Sequence, residues 1–164
     1  MFQNLLNRTW KDESGSESVE FSLSLMGWIG GAFLIMYGSF AIYAAHFVAN
    51  ASDEAARYAI VRGSSWNGAS CSTNSGFDCT ATSSDIETYV EGTLPPGLSA
   101  ANLTVTTAWP GTTSSGATCD TEDGANSPNC QVQVQVTYNF SFPVPFFPQS
   151  RLPLTSSAAM TISQ

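Results

Sequence analysis

The stretch Gly15-Ser16-Glu17-Ser18-Val19-Glu20-Phe21 opens a long apolar segment, and the rest of the chain is organised around it. Residues 21–45 contain no charged side chain. A helix needs about 20 mostly apolar residues to cross roughly 30 Å of hydrocarbon, and this segment is long enough. The sequence therefore predicts a transmembrane helix at about residues 21–45, with one carboxylate, Glu20, at its start.

Glu20 lies at the bilayer boundary, where an unpaired carboxylate is costly and calls for a cation. Cleavage after Gly15 would create one, because the new α-amino group of Ser16 is largely protonated at neutral pH. Ser16 and Glu20 are four residues apart, so the amine can pair along its own helix or with Glu20 of a neighbouring helix. The alternative is that Glu20 is only the boundary residue of a signal anchor.

These residues resemble the processing site of type IV prepilins, in which a leader peptidase cuts after the Gly and leaves Glu at the fifth position of the mature chain. Glu20-Phe21 matches the Glu-Phe pair of pseudopilins from tight-adherence (Tad) pili. Residues 53–63 are similar to the region that closes the first helix in the TadE-like family. Residues 143–148 and 154–160 are similar to the last strands of that family.

The resemblance implies a minor pilin or pseudopilin of a Tad (type IVc-like) pilus, acting in pilus assembly and surface adhesion. Its leader, residues 1–15, would be removed by a prepilin peptidase, with Gly15 and Ser16 as the processing site. Glu20 and Phe21 would set the register between subunits during assembly. The partners implied are other pilin or pseudopilin subunits, the prepilin peptidase and the inner membrane.

Charge predicts which side of the membrane each end of the chain occupies. Arg8 and Lys11 are the only basic residues before the apolar segment, and basic residues flanking a first membrane segment tend to stay in the cytoplasm. The C-terminal part is therefore expected in the bacterial periplasm, or at the cell surface within a pilus. A cleaved secretory signal is the alternative, but its apolar region usually spans only about 7 to 15 residues.

Composition limits what the C-terminal part can bind. The chain has 164 residues, which leaves room for one small domain beside the membrane helix. The formal net charge is −8 and only five residues are Lys or Arg. This balance argues against nucleic acid or anionic lipid as a partner of that domain.

Small residues recur along one side of the apolar segment. Gly27 and Gly31 form a GxxxG pair, and Gly38 lies seven residues further on. In lipid, helices associate where small residues let their backbones approach closely, so these glycines predict packing against other helices. The alternative is that Gly is simply common in membrane helices.

Beyond the apolar segment the pattern stays helical but becomes amphipathic. Phe47, Ala51, Ala55 and Tyr58 fall on one face, and Gly63 is a natural terminator. We therefore expect one long N-terminal helix over residues 16–62.

The extracytoplasmic head, residues 63–164, is predicted to begin with a loop and a short helix. Ser84 is the expected N-cap of that helix, Glu87 completes a capping box, and Gly92 ends the helix. Three strands follow, at residues 103–108, 131–142 and 154–162, and the second alternates strictly between apolar and polar residues. The predicted fold is α+β and pilin-like: a long N-terminal helix, transmembrane and then amphipathic, packed on a small antiparallel sheet.

Four cysteines lie in the head, namely Cys71, Cys79, Cys119 and Cys130. An extracytoplasmic location favours two disulfides, for which three pairings are possible. Pairing Cys71 with Cys79 and Cys119 with Cys130 is favoured, because each pair brackets one short loop. The CxxC-type spacing of a zinc site is missing.

Little in the sequence points to catalysis. His46 is the only histidine, it falls at the membrane boundary, and no nucleophile or phosphate-loop motif is present. Asp120, Glu122 and Asp123 share a loop but lack EF-hand spacing, so a solvated acidic loop is favoured over a calcium site. We expect no enzyme, cofactor or metal. Two classes remain: a pilus assembly protein, or an unprocessed membrane-anchored periplasmic binding domain.

Overall fold

The structure is a computed structural model that describes residues 14–63, 81–119, 127–141 and 151–163. Its elements in chain order are helix α1 (Ser14–Val61), helix α2 (Ser83–Gly92), a 3-10 helix (Ala100–Asn102), and strands β1 (Leu103–Ala108), β2 (Gln131–Ser141) and β3 (Arg151–Thr161). The chain divides into two compact units, Met1–Phe40 and Ala41–Gln164. The predicted α+β fold, with a long N-terminal helix packed on a small antiparallel sheet, is confirmed.

In the first unit, the structure describes the beginning of α1. By length and composition, α1 is the one helix in the described ranges that is long and apolar enough to cross a membrane. The hydroxyls of Ser22 and Ser39 donate to the carbonyls of Ser18 and Ile35, at 2.7 and 2.8 Å. Because these donors are satisfied inside the helix, the two serines fit an apolar environment.

The second unit is built on a three-stranded antiparallel sheet in the order β1-β2-β3. In the middle strand, every second residue points into the core: Val132, Val134, Val136, Tyr138 and Phe140 are buried. The Gln and other polar residues between them face outward or are half-buried, which is the predicted alternation. The predicted last residue of this strand, residue 142, lies outside the described residues.

The second half of α1 covers the apolar face of this sheet through small side chains. The buried face consists of Ala44, Val48, Ala51, Ser52, Ala55, Ala56 and Ala59. The sequence predicted Phe47 and Tyr58 in this face, but both are only half-buried. The fully buried positions of this half of the helix thus carry small side chains, and the two aromatic rings are only partly covered.

Helix α2 begins at a different cap from the predicted one. Thr82, not Ser84, is the N-cap: its side chain accepts from the amide of Asp85, and the Asp85 carboxylate accepts from the amide of Thr82 at 2.9 Å. Asp85 therefore takes the capping-box role predicted for Glu87. The helix ends at Gly92 as expected.

Strand β3 begins at Arg151, three residues before its predicted start. Pro153 lies inside the strand and pairs with Asn139 of β2. Proline lacks an N–H and is tolerated in sheets mainly on edge strands. Because β3 is at the edge of the sheet, Pro153 does not interrupt it.

Candidate functional site

The start of α1 carries the predicted processing site. The helix begins at Ser14, so Gly15 and Ser16 lie in its first turn. Residues 15–21 are all exposed, and a Cβ built on Gly15 would meet nothing within 4 Å. The first four N–H groups of a helix lack intrahelical partners, and the Gly15–Ser16 bond lies in this first turn. The bond is therefore in an exposed end turn of α1.

The same end of the helix is negatively charged. Glu17 lies in the first turn, and Glu20 follows one turn later. Residues 14–40 contain these two acids and no Lys, Arg or His. Both acids interact favourably with the positive end of the helix dipole. Within residues 14–40, Glu20 therefore has no basic side chain to pair with.

A shallow apolar groove runs along the first half of α1. We call it the glycine groove, and its lining residues are Ser24, Gly27, Trp28, Gly31, Ala32 and Ile35. A Cβ on Gly27 or Gly31 would meet no atom within 4 Å. The structure thus brings together the two glycines of the GxxxG pair. Gly38 is also open, but it lies beyond the groove.

The walls of the glycine groove were not recognised from the sequence. Trp28 is 81% exposed and Ile35 is 75% exposed. They flank Gly31 at spacings of three and four residues, so a helical-wheel projection would have found them. Glycines flanked by large apolar side chains form the kind of surface on which a second helix packs.

In the second unit, Cys119 and Cys130 form a disulfide with an Sγ–Sγ distance of 2.01 Å and a Cα–Cα distance of 5.7 Å. Both side chains are fully buried. This is the pairing that the loop spacing predicts. Gly111, with a φ of +119°, lies against it, since a Cβ there would sit 3.6 Å from the Cys119 sulfur. The predicted partners Cys71 and Cys79 lie outside the described residues.

The disulfide also holds the end of the sheet. The amide of Ile162 donates to the carbonyl of Cys130 at 2.8 Å, and the amide of Asn129 donates to the carbonyl of Ile162 at 3.1 Å. On the other side, the amide of Gln131 donates to the carbonyl of Pro110 at 3.0 Å. Cys130 is thereby fixed between the chain after β3 and the chain after β1.

His46 is exposed and lines a surface groove beside α2. Its neighbours there include Tyr43, Phe47, Glu54 and Pro95. In the described ranges, no group of three or more His, Cys, Asp or Glu side chains is placed to hold a metal ion. The acidic loop at residues 120–123 lies outside those ranges.

An aromatic and cationic stack joins the end of α1 to α2. The Tyr58 and Tyr89 rings stack with their centroids 4.4 Å apart, and the Arg62 guanidinium carbon lies 4.0 Å from the Tyr58 centroid. A cation over an aromatic face adds roughly 0.5–1 kcal/mol at exposed sites. Tyr58 therefore contacts α2, whereas the sequence placed it on the face of α1 that was expected to pack on the sheet.

The chain matches no protein-family model, no curated protein and no solved structure.

Proposed function

We propose that this protein is a TadE-like minor pilin or pseudopilin of a Tad-type pilus, cut after Gly15 by a prepilin peptidase. The single observation that carries the proposal is the start of α1. An exposed Gly15–Ser16 bond lies four residues before an exposed Glu20 that has no basic residue in its half of the helix. Cleavage at this bond creates a cation four residues from Glu20, at the new α-amino group of Ser16.

In this proposal the protein has no catalytic role. The first half of α1 anchors the chain in the inner membrane and packs on other subunits through the glycine groove. Lipid gives no hydrophobic drive for that contact, so close approach at Gly27 and Gly31 supplies it. The head lies in the periplasm, or at the cell surface once the subunit joins the pilus, and its role there is assembly and attachment.

The proposal is tested by the intact mass of the membrane-extracted protein from cells with and without the matching prepilin peptidase. We expect a peptidase-dependent loss of residues 1–15. Gly15→Val blocks the loss. Gly30→Val, in the same helix and with equally open space around it, leaves the cut intact. A full-length mass in both strains contradicts the proposal and favours an unprocessed membrane-anchored periplasmic binding domain. A cut after residue 45 or 51 would instead identify α1 as a signal sequence.

The role of Glu20 is tested separately with Glu20→Gln. This change keeps the size and shape of the side chain and removes its charge. We expect the variant to be cut normally but to enter pili poorly, because the amine of Ser16 no longer has a charged acceptor. Glu17→Gln is the matched control, one turn earlier on the same helix. Equal incorporation of both variants would remove the pairing role from Glu20.

A further inference from the structure

The first turns of α1 hold the Gly15–Ser16 bond in a helical conformation. In an α-helix each carbonyl accepts from the amide four residues later, which pairs the Gly15 carbonyl with the Val19 amide. The backbone dihedral angles of Ser16, Glu17 and Ser18 close the ring between these two groups. The carbonyl that a protease must attack is therefore hydrogen-bonded within the helix.

This ring is stabilised by the helix alone. Residues 15–20 are all exposed, and the side chain of Val19 is 61% exposed. A helical turn without a buried face depends on intrinsic propensity and on charge, because tertiary packing supplies most helix stability in proteins. Four of the five residues 14–18 are serine or glycine, which form helices less readily than alanine. The turn that contains the bond is therefore a weak piece of helix.

The helix that follows is much harder to open. Residues 21–45 carry no charge, and α1 is long and apolar enough to cross a membrane. In hydrocarbon, a backbone group released from a helix finds no water to replace its partner, so unwinding there is far more costly than in water. With the apolar segment in the membrane, opening of α1 from its beginning stops before Phe21.

We propose that the prepilin peptidase cuts this chain from an opened state of the first turn of α1. Opening breaks the bond between the Gly15 carbonyl and the Val19 amide and frees the carbonyl for attack by water. Hydrolysis adds one water across the Gly15–Ser16 bond, so that Gly15 ends as a carboxylate and Ser16 begins with a protonated amine. Ser18 is a positioning residue, which acts through the stability of the turn. The identity of the protease rests on the proposed function.

The rate of cutting should therefore report the stability of the turn. Proteolysis of a transiently opened segment follows the equilibrium population of the open form when opening and closing are faster than cleavage. Helix–coil relaxation takes about 0.1–1 μs, whereas enzymes turn over at about 1–1,000 per second. A residue at position 18 that favours the helix should slow cutting, and one that disfavours it should speed cutting.

Ser18→Ala and Ser18→Gly test this in the full-length, membrane-embedded protein with limiting prepilin peptidase. Both variants lose the same hydroxyl, so any contact of that hydroxyl with the peptidase is lost equally. Their helix propensities differ from that of serine in opposite directions. We expect Ser18→Gly to be cut about fivefold faster than Ser18→Ala, with the parent chain between them. The rates are measured as the appearance of the shortened chain by intact mass.

Ser39 provides the matched control further along the same helix. It is also exposed, but it lies in the apolar segment, far from the Gly15–Ser16 bond. We expect Ser39→Ala and Ser39→Gly to be cut at the rate of the parent chain. An equal spread of rates at Ser39 would mean that the substitutions act on the whole helix, and it would overturn the proposal.

Amide hydrogen exchange of the uncut chain in lipid nanodiscs gives a readout that peptidase recognition does not affect. Local opening sets the exchange rate of a protected amide. The Val19 amide should exchange faster in Ser18→Gly than in Ser18→Ala, by about the same factor as the cutting rates differ. Equal exchange in the two variants, or slower cutting of Ser18→Gly than of Ser18→Ala, would overturn the proposal.

This result can be separated from the processing test. A parent chain that the peptidase leaves uncut contradicts the proposed function, and the opened-turn mechanism with it. A parent chain that is cut, together with equal cutting rates for Ser18→Ala and Ser18→Gly, keeps the processing and overturns only the opened-turn mechanism.

Discussion

The two halves of α1 use small residues at the same helical spacing in opposite ways. In the second half, Ala44, Ala51, Ala55 and Ala59 are buried against the rest of their own unit. In the first half, Gly27 and Gly31 are open, and nothing within 4 Å would meet a Cβ there. A row of small residues on a helix lets another segment pack closely against it. In the second half of α1 that segment belongs to the same chain, whereas in the first half the described residues of the chain leave the row exposed.

The comparison predicts that the second half of α1 stays folded only while the head is folded. Removing the Cys119–Cys130 disulfide should show this dependence most strongly. Replacing Cys119 and Cys130 together by serine frees a short loop and lowers the free energy of unfolding of the head by about 3 kcal/mol. The loss is measured by denaturant unfolding in detergent. Helicity of the first half should persist after the head unfolds. Simultaneous loss of all helical signal would break the comparison.

The next largest effect is expected from filling the buried stripe. Ala55→Leu adds volume to a site with no exposed surface and should destabilise the head by roughly 1–3 kcal/mol. Ala32→Leu makes the same change at an exposed position of the first half. We expect that variant to unfold within about 0.5 kcal/mol of the parent protein. An equal loss of stability of Ala55→Leu and Ala32→Leu in thermal melts would mean that the two rows of small residues do not differ in packing.

A smaller effect is expected at the N-cap of α2. This helix contacts the end of α1 through Tyr89. Thr82→Ala removes the N-cap oxygen and should cost about 1 kcal/mol. Ser84→Ala changes the cap predicted from sequence and should cost less, because Ser84 lies inside the helix. A larger loss for Ser84→Ala in denaturant titrations would contradict the capping seen in the structure.

The smallest effect on folding is expected in the glycine groove. Gly31→Leu adds a bulky side chain to the groove at a position where a Cβ meets no atom within 4 Å, so the head should unfold as before. Association should nevertheless fall, because the bulky side chain keeps a second helix away. Gly30→Leu, outside the groove lining, is the control in a crosslinking assay of membrane-embedded protein. Unchanged association of Gly31→Leu would leave the groove without a role.

Much of the fold could be predicted from the sequence, because its strongest patterns are periodic. The Val and Gln alternation of β2 fixed which residues are buried, and Gly92 marked the end of α2. The cap of α2 was missed because Thr82–Asp85 and Ser84–Glu87 both fit a capping box. The choice depends on a contact between distant residues: the amide of Ala81, next to Thr82, donates to the carbonyl of Arg62 at 3.0 Å.

The candidate site could be predicted only in part, for a physical reason. Gly15, Glu20, Gly27 and Gly31 stand out as local signals in one chain. The position of β3 at the edge of the described sheet has no such signal, because Thr155 and its neighbours look like any polar strand. Whether a strand lies at an edge depends on pairing between distant segments, which one sequence does not reveal.

The pairing of β2 with β3 has a mechanical consequence. The two strands are matched over eleven register positions, from Gln131↔Thr161 to Ser141↔Arg151. A pull along the strands would load this whole ladder at once, whereas a pull across them would open it one bond at a time. A lengthwise force on these two strands is therefore shared by all eleven positions, so the head should resist it far better than its small size suggests.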